Sequence, residues 1–197
     1  MAAAAAQTTL LTARLRLVPL AEEHLEFEVA LDADPDVMRF LDVQPRTREQ
    51  VEEKHAQRLA VAKCVPGLGF WAGFNLDDKF VGWWILAPPD RPDQGPLEGQ
   101  AELGYRLLPQ FWRQGLAKEG AQELMRYGFE NMDLGRIFGE TMAINVPSRK
   151  TMESLGMHYT RTLFDLHFEG VIPGSEQGEV EYAITKDEWY ARGRPPP

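Results

Sequence analysis

The sequence predicts one mixed α/β domain, a single sheet flanked by helices, and three observations carry that prediction. The first half holds runs of strand-like alternation, residues 101–155 read strand, helix, strand, helix, and the chain closes on a further pair of strands. At 197 residues, 44% hydrophobic and 26% charged, the chain has the size and mix of one domain with a substantial core. The expected domain spans residues 9–192, between a flexible tail over 1–8 and a proline-rich tail over 193–197.

Residues 10–18 alternate apolar and polar in their second half, which predicts a strand with one wet face. The period then changes. Leu20, His24, Phe27 and Leu31 recur at helical spacing, and a second helix opens after Pro45, capped by Thr47, and runs to Lys63. Residues 69–74 and 80–86 are rich in aromatic and β-branched residues and are joined by the turn former Asn75-Leu76-Asp77-Asp78-Lys79, so they read as a hairpin. The Pro- and Gly-rich loop over 88–99 leads into a strand at 101–108; long loops between strands are often functional. A helix at 116–132, a strand at 136–142, a helix at 147–155 and strands at 157–168 and 180–184 complete the order.

Composition excludes several classes of function. No apolar run approaches the ~20 residues of a membrane-spanning helix, because Val81-Gly82-Trp83-Trp84-Ile85-Leu86-Ala87 stops at Pro88-Pro89. The alanine-rich start lacks a basic segment and a long apolar core, so a cytoplasmic protein is expected. Cys64, His24, His55, His158 and His167 show no zinc-ligand spacing, and no metal is expected. A net charge of −9 repels polyphosphate backbones and anionic membranes and suits a cationic ligand, although it also serves solubility alone. Gly67-Leu68-Gly69-Phe70-Trp71-Ala72 fits a dinucleotide fingerprint in form only, since it precedes a strand instead of opening a helix. None of Ser148, Ser154 and Ser175 lies in a Gly-x-Ser-x-Gly elbow.

The turn Trp112-Arg113-Gln114-Gly115-Leu116-Ala117 joins a strand to a helix that starts at once. Such a turn aims free backbone N–H groups and the positive end of the helix dipole at one point, which favours phosphate. Gly115 permits close approach, Ala117 is small, and Arg113 and Lys118 add positive charge. The plainer reading of the same residues is an ordinary turn whose glycine serves geometry alone.

Phe111-Trp112-Arg113-Gln114-Gly115-Leu116-Ala117-Lys118-Glu119, preceded by Glu102-Leu103-Gly104-Tyr105 and followed by Asn145-Val146-Pro147-Ser148 and Leu155-Gly156-Met157, resembles the GNAT acyltransferase superfamily. Within it, the pairing is most similar to the branch of the ribosomal-protein-alanine N-acetyltransferases, and the likeness is detailed over residues 101–157. The resemblance implies a twisted, mostly antiparallel sheet with a splayed parallel strand pair that takes the pantetheine arm of acetyl-CoA. It implies transfer of the acetyl group to a primary amine, a protein N-terminus or a small molecule, by direct attack in a ternary complex. Backbone groups of Leu107 and Leu108, the turn residues Arg113, Gln114, Gly115, Leu116, Ala117 and Lys118, and Asn145 and Ser148 would hold the donor. Two departures stand out. The family's Gly-Lys is Arg113-Gln114 here, and the position of its common tyrosine acid is Met152.

An alkyl amine with a pKa of ~10.4 is protonated at pH 7, so the reaction needs a proton acceptor. Glu102 is the expected base, directly or through water, with a surface charge as its plain alternative. Ser148 is expected to assist the departing thiolate, while Asn145 serves at least as a helix cap. Trp83 and Glu181 are expected to line the acceptor pocket; core packing is the plain reading of Trp83, and Glu179 shares the strand face of Glu181. His158 and His167 are bases by type only. Acetyl-CoA and an amine are thus the expected partners, with no nucleic acid or membrane, and a homodimer through the C-terminal strands is implied by the resemblance alone. A non-catalytic acyl-CoA-binding module is the alternative; thiol release in the presence of amines separates the two.

Overall fold

The computed structural model describes residues 6–42, 44–164 and 172–193. The segment expected to be one strand is a small hairpin, β1 (Leu10–Leu11) and β2 (Arg16–Pro19), because Thr12 N–H bonds the carbonyl of Leu15 and turns the chain back. Alternation continues through this turn, so period alone could not reveal it. Gln7 and Thr8, expected in the tail, instead dock on the sheet: Gln7 Nε2 donates to the carbonyl of Phe70 and the Trp71 indole donates to that of Thr8.

The first expected helix opens with one 3₁₀ turn at Glu22–His24 and continues as α1 (Leu25–Asp32). A further short helix, α2 (Pro35–Met38), follows at once, with Asp34 accepting from the N–H groups of Asp36 and Val37. The expected cap at Thr47 is present on α3 (Arg48–Cys64), where Thr47 and Gln50 form a reciprocal capping box. Then come β3 (Gly69–Phe74), β4 (Phe80–Ala87), β5 (Gln100–Leu107), α4 (Leu116–Glu130), β6 (Arg136–Met142), α5 (Val146–Ser154), β7 (His158–Leu163) and β8 (Glu179–Thr185). A closing helix, α6 (Lys186–Ala191), has no counterpart in the sequence reading: six residues are too few for a clear period, although Thr185 and Glu188 form its capping box. Residues 165–168 of the expected seventh strand lie outside the described residues.

The described strands form one sheet in the order β1-β2-β3-β4-β5-β6-β8-β7. Neighbours are antiparallel apart from β5 and β6, which run parallel through Gln100↔Arg136, Ala101↔Ile137 and Glu102↔Phe138. Pairing then ends, although β5 continues to Leu107 and β6 to Met142. The resulting opening is the splayed parallel pair the resemblance implies. At its apex Gly139 is required, since a Cβ there would lie 2.8 Å from the carbonyl oxygen of Leu103.

Each face of the sheet has its own core. Ala101, Leu103 and Leu107 of β5 pack with Leu116, Ala121, Leu124 and Met125 of α4. On the opposite face, Leu31 of α1 packs with Phe70, Phe74, Phe80 and Trp83. Period two therefore puts Glu102, Gly104 and Arg106 on the α1 side, where Arg106 meets Asp32. No helix among the described residues is long and apolar enough to cross a membrane.

Candidate active site

The turn before α4 is built from both sides. Arg113 and Gly115 have φ of 58° and 78°, the left-handed region that brings successive N–H groups to one side. The Trp112 indole donates to the carbonyl of Leu107 at 2.7 Å, which ties the turn to the end of β5. Arg14, from the β1–β2 turn, donates to the carbonyl of Gln114 at 2.9 Å and pairs with Glu119 at 2.6 Å. Thr12 Oγ1 donates to the same carboxylate. Buried Leu116 anchors the helix from below, while Arg113, Gln114, Gly115 and Lys118 stay exposed.

Gly115 has no side chain to cap α4, and the first helical bond runs from Glu119 N–H to the carbonyl of Gly115. The N–H groups of Leu116, Ala117 and Lys118 therefore lack helical acceptors and face outward beside two cations. This cradle fits a pyrophosphate. The Gln114 side chain is turned back to the carbonyl of Gln110, so it is the N–H groups of the turn, not this amide, that remain to meet a ligand. Arg14 was not singled out from sequence, because the turn that carries it was read as strand.

In the splay, alternation decides which backbone groups are free. Leu108 N–H bonds the carbonyl of Val81, so Leu108, Arg106 and Gly104 direct their groups to β4. Those of Tyr105 and Leu107 point to the open side. The expectation for Leu108 is corrected accordingly, since its carbonyl also accepts from Phe111 N–H. Leu107 keeps its N–H toward the opening, with its carbonyl engaged by Trp112.

Tyr105 also brings a hydroxyl to α5, 3.2 Å from the carbonyl of Ser148 and 3.4 Å from its Oγ. Burial raises the Tyr105 phenol, which keeps it protonated. Two hydroxyls thus adjoin at the mouth of the splay, while Met152, in the place of the family's tyrosine, is buried in the core. Tyr105 stood in the quoted motif without a role; sequence alone could not show that its ring reaches α5. Asn145 caps α5 by accepting from Ser148 N–H, and its Nδ2 donates to Thr141 Oγ1.

On the α1 side of the sheet, the registers gather carboxylates. Glu102 pairs with Phe138, Glu140 lies two residues further along β6, and β8 sets Glu181 opposite Glu140 and Glu179 opposite Met142. All four share one face. Glu181 is engaged within the fold by Arg136 at 2.6 Å, Thr160 at 2.6 Å and Arg161 at 2.8 Å, and these partners, outweighing burial, hold its carboxyl below the usual range. Its expected role in the acceptor pocket is corrected, since its carboxylate is spent within the fold, whereas Glu179 makes no such contact among the described residues. Burial first, and then the charge of Glu140, push Glu102 up to about 8 and Glu179 up to about 7.

Trp83 is likewise corrected. It is buried between Phe70, Arg58 and Arg106, with the two guanidinium carbons 5.3 and 4.8 Å from its ring, and so packs the core that supports the site. His158 is exposed on β7, 3.8 Å from Glu188, and His167 lies outside the described residues. Arg106 also touches Met38 Sδ, which lines an open groove of 460 Å³ with Phe40, Pro45 and Pro173.

Comparison with known proteins agrees with this geometry. Residues 14–158 match the family described as the acetyltransferase (GNAT) domain. The chain is 44% identical over 194 residues to the FsC-acetyl coenzyme A-N(2)-transacetylase of Aspergillus fumigatus, covering 96% of this chain and 81% of that protein. Among solved structures, a GNAT-family acetyltransferase from Bacillus anthracis superposes with a TM-score of 0.71 at 22% identity, over 91% of this chain and 99% of that one. The spermidine N-acetyltransferase of Vibrio cholerae, in complex with CoA and spermine, does so with a TM-score of 0.72 at 17% identity, over 90% and 99%.

Proposed function

The chain belongs to the GNAT acetyltransferase family, and from that premise we propose that it transfers the acetyl group of acetyl-CoA to a primary amine by direct attack in a ternary complex. The observation that carries the proposal is the parallel pair β5–β6, which stops pairing at Glu102↔Phe138 and leads from β5 into the glycine turn of α4. Acetyl-CoA supplies an activated thioester. The N–H groups of residues 115–118, with Arg113 and Lys118, would hold its pyrophosphate, and the open-side backbone of Tyr105 and Leu107 would hold its arm.

In this reading the chain does three things. Glu102 accepts a proton from the acceptor amine, directly or through water. The free N–H groups of β5 face the position at which a carbonyl develops negative charge. Ser148, with Tyr105 beside it, presents a hydroxyl to the departing sulfur. The A. fumigatus relative, 44% identical, is named for acetyl transfer to an N(2) position, which supports an amine nitrogen as the acceptor.

The test is thiol release from acetyl-CoA with a panel of small aliphatic amines, amino acids and peptides with free N-termini. Turnover with the small amines, lowered in Glu102→Gln, is the expected result. Acetyl-CoA binding without thiol release from any amine would overturn the proposal in favour of a binding module.

A further inference from the structure

Resting on the acetyl-transfer reading above, we propose that Glu140, together with Glu102 and Glu179, forms a carboxylate pocket that receives the acceptor as its ammonium ion, with Oε1 of Glu140 as the anchor. Glu140 is almost wholly buried, its side chain 5% exposed. Its Oε2 is satisfied by Arg91 at 2.6 Å and Gln94 at 3.2 Å. Its Oε1 is buried and accepts no hydrogen bond from the described residues. The nearest cation, Arg161, directs its short contacts to Glu181 and Asp93 and stands 4.0 Å from this oxygen. A buried charged oxygen left without a donor is costly, and native folds rarely keep one without a use.

The surroundings select the sign of what completes it. Glu102, Glu140 and Glu179 face one another from β5, β6 and β8: Glu140 and Glu179 act electrostatically on Glu102, and Glu140 acts on Glu179. Asp90, Asp93 and Glu181 border them, against Arg91, Arg136 and Arg161. Arg91 is committed to Oε2 of Glu140 and to Asp93, and Arg136 and Arg161 to Glu181, so Glu102 and Glu179 have no hydrogen-bonded guanidinium among the described residues and the cluster favours a cation. The elevated values of Glu102 and Glu179 fit this arrangement: without a cation, the cluster relieves its repulsion by keeping a proton.

The three groups differ in role. Glu140, ion-paired to Arg91, is the anchor, whereas Glu102, beside the splay, takes the proton. The ammonium gives one proton to Glu102, and the second proton lost on forming the amide ends on the coenzyme A thiol. Amide, thiol and protonated Glu102 are then the balanced products.

The experiment compares an alkylamine, n-propylamine, with aniline, which is already neutral at pH 7. Glu140→Gln is expected to raise KM for propylamine about tenfold or more, as for a buried charge contact, while KM for aniline and for acetyl-CoA changes less than about twofold. Glu179→Gln, at a less buried position, should shift propylamine in the same direction and serves if Glu140→Gln folds poorly. Arg91→Gln, which breaks the same ion pair from the loop side, should leave KM for propylamine unchanged or lower it. An equal rise for both amines, no rise for either, or a rise reproduced by Arg91→Gln would overturn the pocket and reduce Glu140 to a tether for the 88–99 loop. Absence of thiol release by the wild-type protein with every amine would instead overturn the acetyl-transfer reading.

Discussion

At the residue scale, burial holds Glu102, the proposed base, above the usual carboxylate range. A carboxyl pushed up to about 8 is mostly protonated at pH 7, so the base action proposed for it grows with pH. Its folded value lies above the unfolded value of ~4.3, and the folded state therefore binds more protons between the two. Stability falls as pH rises through that window. Glu102→Gln should accordingly lower kcat by about 10²–10³-fold, leave KM for acetyl-CoA unchanged and flatten the alkaline rise of the rate. The same substitution should raise Tm at pH 8.5 while changing little at pH 4.5, which differential scanning calorimetry checks. A lowered Tm at pH 8.5 would mean that the carboxylate contributes to the fold. The roles proposed for Glu102 and Ser148 come from the motifs in which they stand. Glu179 and Glu181 were not separable, since alternation puts both on one face and only tertiary structure reveals that Arg136, Thr160 and Arg161 engage one of them. Glu140 carried no signal beyond its type.

At the element scale, the α4 turn, proposed to hold the pyrophosphate, is braced by the neighbouring hairpin. Any side chain at Gly115 must adopt φ of 78°, at a cost of about 1–2 kcal/mol, while a Cβ there would meet only Arg14 Nη2 at 3.5 Å. Gly115→Glu should therefore leave the protein folded but weaken acetyl-CoA binding by about 10²-fold or more, because a carboxylate would lie where phosphate is held. Isothermal calorimetry gives the affinity and circular dichroism the fold. Arg14→Gln should raise KM for acetyl-CoA severalfold with kcat retained, since Arg14 holds the carbonyl of Gln114 and neutralises Glu119. The long elements were legible here from a periodic face, as in α4, or from an apolar, aromatic run between turn formers, as in β3 and β4, which are buried on both faces. The β1–β2 turn, α2 and α6 were not: elements of two to six residues give too few repeats, and their caps are read with assurance only once the neighbouring chain is in place.

At the scale of the whole molecule, the acceptor face depends on how the helical layer is fastened to the sheet. Asp32 of α1 is wholly buried and meets Arg46, Arg58 and Arg106, which belong to the segment before α3, α3 itself and β5. Glu28, one turn earlier, binds Arg58 and His55 Nδ1. Burial opposes ionisation of Asp32, yet Arg106, Arg58 and Arg46 together hold its carboxyl below the usual range. This contribution is fully present above the unfolded value of ~3.9 and is lost as pH falls through the lower folded value. A buried network of this kind adds little over a well-packed apolar core, but removing one member leaves its partners uncompensated. Asp32→Asn should therefore lower stability by about 3–5 kcal/mol at pH 7, read as a shift in the urea midpoint at constant m-value. The loss should shrink as pH falls below the unfolded value, because the wild-type carboxyl then loses the same contribution. Arg106 lies two residues from Gly104 and four from Glu102 on one face of β5, and it touches Met38 at the groove. Its release should raise KM for the amine and spare KM for acetyl-CoA, whose turn lies beyond the other face of the sheet. Equal losses for both substrates would show that the network supports the domain as a whole instead of the acceptor side alone.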